Sequence, residues 1–408
     1  RGEVLFMTQY QITLDETLLH QLFIGDSRDA GVAALLETVL NQVLKAQAVE
    51  QLNAEHYERT EERLGYRNGT YPHTLTTRVG KLTLSVPRFR DGTFSTELFA
   101  RYQRSEQALV LALMEMVLNG VSTRKVTRVT EELCGAEFSK STVSELCKQL
   151  DPIVQEWAQR PLTGITYPFL LVDAIYVKVR EDGRVRSRGV MIATGVNENG
   201  YREILGLQIG DTESEASWGA FFEELKQRGL HGVDLVTSDH HKGLVKAVRT
   251  HFQGVTWQRC QTHFMRNILE ASPKSLRPEI KAHVRTIFEA ADERMGRELL
   301  NKTTSLFALN APKAMEILED GFDDATAVLA LPADVRVRVR TTNAVERLNE
   351  ELRRRERVIR IFPNRDSVLR LFGALLMELD DTWTTERKYI DLRAYFAWRK
   401  EKTSSKTK

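Results

Sequence analysis

The stretch PFLLVDAIYVKVRED at residues 168–182 decides the fold class of this chain. Its apolar residues alternate with period two, which predicts a β-strand. Two more strand-like runs follow at residues 185–200 and 201–211, with turn residues EDG and NENG between the runs. The pattern then switches to helix, strand, helix and strand, at residues 214–229, 232–239, about 242–252, and GVTWQRC. Three antiparallel strands followed by this alternation predict an α/β sheet layered with helices.

One carboxylate is out of place in the first of these strands. Asp173 has the same parity as Phe169 and Ile175, so alternation puts it on the apolar, inward face. An ionised carboxylate that is buried without a partner costs several kcal/mol. Asp173 is therefore expected to be neutralised, to pair with an arginine in a structural salt bridge, or to bind a metal ion.

A second acid, Asp239, comes directly after the apolar strand that contains VDLV. Ligands of open α/β sheets bind outside the carboxyl ends of such strands. The alternative is structural, because Ser238 or Asp239 could cap the helix that follows.

A third acid lies in TTNAVERLNEELRRRERVIRIFPN, residues 341–364, where a helix entered at Asn343 would carry Glu346 three residues inside it. That is the spacing of a capping box, so Glu346 could simply satisfy backbone donors. Glu346 and Glu350 are, however, like charges at i,i+4. Residues 336–360 also hold nine arginines, no lysine and four acids, which predicts a polyanionic or metallic partner nearby.

The composition limits the class of protein to which this chain can belong. The length of 408 residues allows two or three domains, and 42% hydrophobic with 28% charged residues is typical of a globular protein. No apolar run approaches the length of a membrane span, and no signal peptide is recognised. The three cysteines, Cys134, Cys147 and Cys260, cannot make a disulfide framework and favour a reducing cytoplasm. The net charge of +2 averages over basic clusters.

The N-terminal half is predicted to be mainly helical, with helix over residues 12–64, a hairpin in HTLTTRVGKLTLSVPRF and an apolar helix at 105–118 capped by Ser105. Residues 120–150 then suggest two short helices, the first capped by Ser122 and ended by Gly135, the second begun by Ser139 or Lys140. This is a helix-turn-helix candidate, with an ordinary helical hairpin as the alternative. Pro152 and RPLTGITYP, residues 160–168, mark a predicted domain boundary.

Two strand carboxylates and a distant helical one form an oxygen-rich set, which suits Mg²⁺ or Mn²⁺. In a two-metal site the ions clamp the attacking and leaving oxygens of a phosphoryl displacement, and no nucleophilic side chain is required. The sequence contains no Walker A loop, nucleophile elbow or H-E-x-x-H helix, so several other enzyme classes lack their usual motifs.

Four motifs in order, LLVDAIYVKVRE, VTSDHHKGL, WQRCQTHFMRN and TTNAVERLNEELRRR with IFPN, resemble the Mutator-like bacterial insertion-sequence transposases of the insertion sequence 256 family. The similarity extends over nearly all of the chain after Met7. It implies an RNase H-like catalytic core, with a mixed sheet and flanking helices, interrupted by an all-helical insertion and preceded by a mainly helical DNA-binding region. The fold class is thus multidomain α/β.

The resemblance places a catalytic, metal-binding DDE triad on Asp173, Asp239 and Glu346, holding two Mg²⁺ or Mn²⁺ ions. The family's C-x-x-H element is matched by Cys260 and His263. Because a structural zinc ion normally has four ligands, packing or DNA positioning is the preferred role of this pair. The expected DNA contacts are Arg347, Arg353, Arg354 and Arg355 near the active site, and Arg124, Lys125, Lys140 and Thr142 for the terminal repeats.

The implied domains are a DNA-binding and dimerisation region at 8–104, a helix-turn-helix region at 105–160, the catalytic core at 165–263 and 341–375, the insertion at 264–340, and a C-terminal helix and tail at 376–408. Residues 1–7 are interpreted as an expression leftover plus the start. The implied partners are transposon terminal inverted repeats, target DNA and a second copy of the chain, with no membrane, in a bacterial cytoplasm near the nucleoid.

The implied activity is cleavage at the ends of the element followed by strand transfer, by a copy-out-paste-in route through a circular intermediate. Two alternatives stay open: a sequence-specific DNA-binding regulator without catalysis, and a structure-specific RNase H-like nuclease that cuts without joining.

Overall fold

The computed structural model describes residues 12–17, 28–55, 57–77, 79–96, 98–99, 107–134, 138–385 and 388–406. Contacts between residues divide the chain into two units, Arg1–Cys147 and Lys148–Lys408. This division precedes the loop at 160–168 in which the sequence predicts a boundary. The interpretation of residues 1–7 and the roles expected of Ser105 and Gly135 fall outside the described residues.

In the first unit, a long helix lies on a hairpin. Strands β1 (Arg67–Thr77) and β2 (Gly80–Phe89) pair antiparallel, and helix α1 (Arg28–Leu52) packs on β2. The core between them includes Leu44, Leu82 and Leu84. The hairpin prediction is confirmed, but the predicted helix over 12–64 is too long. The chain leaves the helix at Asn53, whose φ of 48° is left-handed, and residues 53–55 and 57–64 contain no helix.

Three shorter helices complete the described part of the first unit: α2 (Gln107–Leu118), α3 (Thr123–Cys134) and α4 (Lys140–Cys147). The two predicted caps are present, because Ser122 Oγ accepts from Lys125 N at 3.4 Å and Ser139 Oγ accepts from Thr142 N at 3.1 Å. Thr127 Oγ1 donates to the carbonyl of Phe138 at 2.7 Å and ties the start of α4 to α3. The helix pair of the helix-turn-helix prediction is therefore formed.

The second unit is built on a five-stranded mixed sheet in the order β5-β4-β3-β6-β7. Its strands are β3 (Phe169–Glu181), β4 (Arg184–Val196), β5 (Arg202–Gly210), β6 (Leu235–Ser238) and β7 (Thr256–Arg259). Strands β3, β4 and β5 are antiparallel, while β3, β6 and β7 are parallel. The predicted strand pattern is confirmed. The β3–β4 turn requires left-handed backbone at Asp182 (φ 49°) and Gly183 (φ 75°), which suits Asp-Gly.

Helices cover the sheet. Helices α6 (Glu215–Gln227) and α7 (Lys242–His251) bury Trp218, Phe222 and Leu244 in one core with strand residues. Helix α5 (Asp151–Ala158) packs on α15 (Arg365–Thr385), and α15 packs on β5. Arg370 pairs with Asp151 at 2.6 Å across the α5–α15 contact. This contact explains why the unit begins before the predicted boundary.

Between β7 and the arginine-rich segment the chain is helical, as predicted. The helices are α8 (Gln261–Ala271), α9 (Arg277–Phe288), α10 (Glu293–Phe307), α11 (Pro312–Asp320), α12 (Phe322–Thr326) and α13 (Ala333–Val339). They enclose a separate core that includes Phe264, Ile280 and Phe322. The arginine-rich segment itself forms α14 (Asn343–Ile359), and α16 (Arg393–Lys406) ends the described chain. Within the described residues, no helix is long and apolar enough to cross a membrane.

Candidate active site

Asp173 lies in the middle of β3 and is 9% exposed, so the predicted inward orientation is confirmed. Its Oδ1 accepts from the Ala174 amide at 2.9 Å, and its Oδ2 accepts from Asn349 Nδ2 at 2.8 Å. Burial, followed by the negative charge of Asp239, raises the pKa of the Asp173 carboxyl well above its usual range. The structural salt bridge to an arginine is not formed among the described residues.

Asp239 follows β6, the parallel neighbour of β3. Leu171 pairs with Thr237 at the end of the segment in which β3 and β6 are paired. Asp173 and Asp239 each come two residues later, so both lie at the same end of this paired segment. The helix α7 that follows is capped at His241 without a side-chain hydrogen bond, so Asp239 is not a cap. Among the described residues, nothing donates a hydrogen bond to the buried Oδ1 of Asp239.

Glu213, just before α6, is an acid of this site that the sequence analysis missed. Its side chain is 10% exposed, and Tyr176 Oη donates to its Oε2 at 3.4 Å. His241 Nδ1 lies 3.9 Å from its Oε1. Burial and then the charge of Asp239 raise the pKa of Glu213, so the two carboxylates are close enough to repel. Glu213 lies in a polar turn between Asp211 and Glu215, where no sequence pattern distinguishes it.

Glu346 lies in the first turn of α14, which packs against β3. The capping box does not form: Thr342 is the N-cap and makes no side-chain cap, while Asn343 Oδ1 accepts from Thr262 Oγ1 at 2.8 Å. The carboxylate instead faces His263, with 3.3 Å between Oε1 and Nε2. The structural explanation of Glu346 as a cap is therefore excluded. Val345, Leu348 and Leu352, which recur at helical spacing, are buried.

The C-x-x-H pair joins α8 to the start of α14. Cys260 is fully buried, and Thr342 donates to its Sγ from both N (3.4 Å) and Oγ1 (3.2 Å). The Cys260 side chain raises the pKa of His263, and the charges of Asp173 and Glu346 raise it further, although burial opposes them. The raised pKa favours the imidazolium form of His263, which contacts Glu346 and is attracted to Asp173.

Asn349, one turn after Glu346 on α14, is a second residue that the sequence analysis missed. It is 6% exposed and donates to Asp173. Its Oδ1 is buried and, among the described residues, has no hydrogen-bond partner. Its position three residues after Glu346 places it on the same helix face, so helical spacing in the sequence could have identified it.

The structure brings the predicted acids together only in part. Asp173, Asp239 and Glu213 interact electrostatically, while Glu346 joins Asp173 through His263. In the part of the chain that the structure describes, no three His, Cys, Asp or Glu side chains are close enough to hold a metal ion. These acids lie near one another but do not surround a common metal position.

The predicted DNA contacts differ in exposure. Arg347, Arg353 and Arg354 are exposed on α14. Arg355 is 7% exposed, with NH1 3.5 Å from Glu351, so it faces protein and is removed from the set of DNA contacts. Arg354 pairs with Glu351 at 3.8 Å. In the first unit, the predicted contacts are all exposed: Arg124, Lys125, Lys140 and Thr142.

A mixed sheet with buried carboxylates at one edge, beside an arginine-rich helix, defines an α/β protein whose acidic centre adjoins a surface suited to polyanions. The family described as "Transposase, Mutator family" matches residues 7–386. The chain therefore belongs to the Mutator family of transposases, as the sequence motifs predict.

Individual relatives are similar over almost their whole length. The transposase for insertion sequence element IS256 in transposon Tn4001 of Staphylococcus aureus is 47% identical, covering 94% of this chain and 99% of the relative. The transposase for ISRM5 of Rhizobium meliloti is 43% identical over 90% of this chain and 92% of the relative. The transposase for IS1081 of Mycobacterium tuberculosis is 37% identical, covering 98% of this chain and 96% of the relative.

Proposed function

We propose that the chain is a DNA transposase that cuts the ends of its own insertion sequence and joins them to target DNA. The main support for the proposal is the pairing of Leu171 with Thr237, because Asp173 and Asp239 each follow this pair by two residues on adjacent parallel strands. Membership of the Mutator family supports the same function, as do the printed names of the relatives.

Mg²⁺ or Mn²⁺ fits the donors at this edge. Two buried acceptors, Asp239 Oδ1 and Asn349 Oδ1, have no hydrogen-bond partner among the described residues. Burial, followed by the negative charge of Asp239, raises the pKa of Asp173 and of Glu213, and a divalent cation would relieve the repulsion from Asp239. Oxygen donors are the ligands that these ions prefer. Asp173, Asp239 and Glu346 would hold two ions, with Glu213 as a further carboxylate.

When bound, such ions activate water and balance charge on a phosphodiester. The side chains of this protein have separate tasks. Asn349 fixes Oδ2 of Asp173 through its 2.8 Å hydrogen bond. His263 attracts both Asp173 and Glu346 and so keeps Glu346 directed toward the sheet edge. Both are positioning residues.

The reaction balances without an energy cofactor. Water attacks phosphorus at the end of the element, one P–O bond forms, and the bond to the 3′ oxygen breaks. The products are a 3′-hydroxyl on the element and a 5′-phosphate on the flank. The 3′-hydroxyl then attacks a target phosphodiester and displaces another 3′ oxygen, so the number of phosphodiester bonds is conserved.

The proposed domain layout follows from the same function. The five-stranded sheet with its flanking helices would be an RNase H-like core, and the helices between β7 and α14 would be an insertion in it. The helix pair α3–α4, with exposed Arg124, Lys125 and Lys140, would bind the terminal repeats. Because two ends are handled together, a homodimer is part of the proposal. The family resemblance adds a copy-out-paste-in route through a circular intermediate.

A cleavage assay tests the proposal. Labelled duplex carrying the terminal repeats that flank the gene is incubated with the protein and Mg²⁺, and the products are separated on a denaturing gel. A nick that leaves a 3′-hydroxyl at the element's end, followed by joined products, is expected. Nicking without any joining would favour a nuclease, and binding without nicking would favour a regulator.

A further inference from the structure

A groove of about 620 Å³ lies between α8, α9 and the segment that enters α14. It belongs to the helical part of the second unit and contains none of the acids described above. Five cations line it, against two acids: Arg266, Arg277, Lys281, Arg285 and Arg340, with Glu270 and Glu289. The groove is therefore a basic channel rather than a neutral cleft.

Most of this positive charge is available for a ligand. Arg285 pairs with Glu289 at 2.9 Å, but Arg266, Lys281 and Arg340 form no salt bridge with any residue that the structure describes. Arg266 and Lys281 are both exposed. Unpaired cations on two facing helices attract an extended polyanion more than a compact one.

The groove also has apolar lining residues. Met265 and Leu269 from α8 and Phe288 from α9 line it together with the cations. A lining of cations with apolar and aromatic groups suits a nucleic-acid strand, whose phosphates contact the cations while sugars and bases lie on the apolar groups. An acidic peptide would use the cations and gain less from the apolar groups.

Two residues that line the groove connect it to the acidic centre. Thr262 Oγ1 donates to Oδ1 of Asn343, the first residue of α14. Glu346 lies one turn further along α14, and His263, the neighbour of Thr262, contacts it. A strand that lies in the groove would therefore run beside the residues that adjoin His263 and Glu346.

We propose that this groove holds the DNA strand that continues from the scissile phosphodiester. The assignment rests on the proposed transposase function, which it deepens by naming the path of the substrate. The helical segment between β7 and α14 is thus part of the substrate-binding surface as well as a structural insertion.

The test compares two double variants with equal changes of charge. Arg266→Glu with Lys281→Glu alters the groove, whereas Lys302→Glu with Lys313→Glu alters exposed lysines on α10 and α11 outside it. Binding of fluorescein-labelled single-stranded and end-containing duplex DNA is measured by anisotropy between 50 and 200 mM salt, and the nicking assay is run in parallel. Thermal melting checks that each variant folds, and Arg266→Ala with Lys281→Ala serves if charge reversal prevents folding.

The groove variant is expected to bind DNA at least tenfold more weakly than the control variant. Its salt slope should also be smaller by roughly 0.7 to 0.9 for each phosphate contact removed. Equal DNA binding and nicking by the two variants would overturn the groove assignment, as would displacement of DNA by polyglutamate at equal charge concentration. If the wild type binds through the groove but never nicks, the transposase proposal fails and the groove remains a DNA surface.

Discussion

Asn349 and Asp173 are joined by a hydrogen bond of 2.8 Å, although α14 and β3 are far apart in sequence. The bond fixes the helix face that carries Glu346 against the strand that carries Asp173. The geometry of the candidate active site therefore depends on a neutral amide as much as on the acids themselves.

Asn349→Ala should reduce nicking by about 10- to 100-fold, in the range typical of residues that orient metal ligands. Asp173 Oδ2 would lose its donor, while the arginines of α14 would keep their positions. DNA binding should therefore remain within about twofold of the wild type, measured by anisotropy beside single-turnover cleavage. Asn301→Ala, exposed on α10, is the matched control. A parallel loss of DNA binding in Asn349→Ala would show instead that the helix is displaced.

Glu213→Gln should raise the Mn²⁺ concentration needed for half-maximal cleavage, because one buried carboxylate beside Asp239 is lost. Glu215→Gln is the control, since Glu215 is exposed two residues away and lies 3.8 Å from Lys246. A titration of cleavage rate against Mn²⁺ separates the two. Identical Mn²⁺ curves for both variants would remove Glu213 from the site.

His263→Ala should lower the cleavage rate about tenfold or more through loss of orientation of Glu346, without changing the affinity for DNA. His263 Nε2 lies 3.3 Å from Oε1 of Glu346, and a protonated ring attracts both Glu346 and Asp173. Single-turnover rates at saturating DNA measure the effect, and His231→Ala, exposed beyond α6, is the control. Normal cleavage by His263→Ala would mean that Glu346 reaches its position unaided.

Asp239→Asn should stabilise the protein in EDTA, because it removes repulsion with Asp173 and Glu213. One pKa unit corresponds to about 1.4 kcal/mol, which would raise Tm by roughly 2–6 °C. The pKa of Asp173 is raised on folding, so the wild type in EDTA should also gain stability as the pH falls through that raised pKa. Addition of Mn²⁺ should stabilise the wild type and leave the variant unchanged. A variant that melts below the wild type in EDTA would contradict this account.

The sequence predicted the parts of the site that depend on local pattern. Alternation placed Asp173 on the inward face, and the end of an apolar strand located Asp239. Glu213 follows its strand among exposed acids, and its contacts with Tyr176 and His241 are tertiary, so no periodicity could identify it. Arg355 has the spacing of a surface ion pair, yet α14 rotates it toward protein. The capping interpretation of Glu346 was excluded by a tertiary contact, since Thr342 is bound to Cys260.

The most direct test of the central claim is the position of Mn²⁺, found by anomalous scattering from crystals of the protein with end DNA. Density is predicted between Asp173 and Asp239 in the wild type and should disappear in Asp239→Asn while DNA stays bound. Mn²⁺ elsewhere, or no Mn²⁺ in crystals of protein that cleaves the same DNA in solution, would contradict the assignment of these acids.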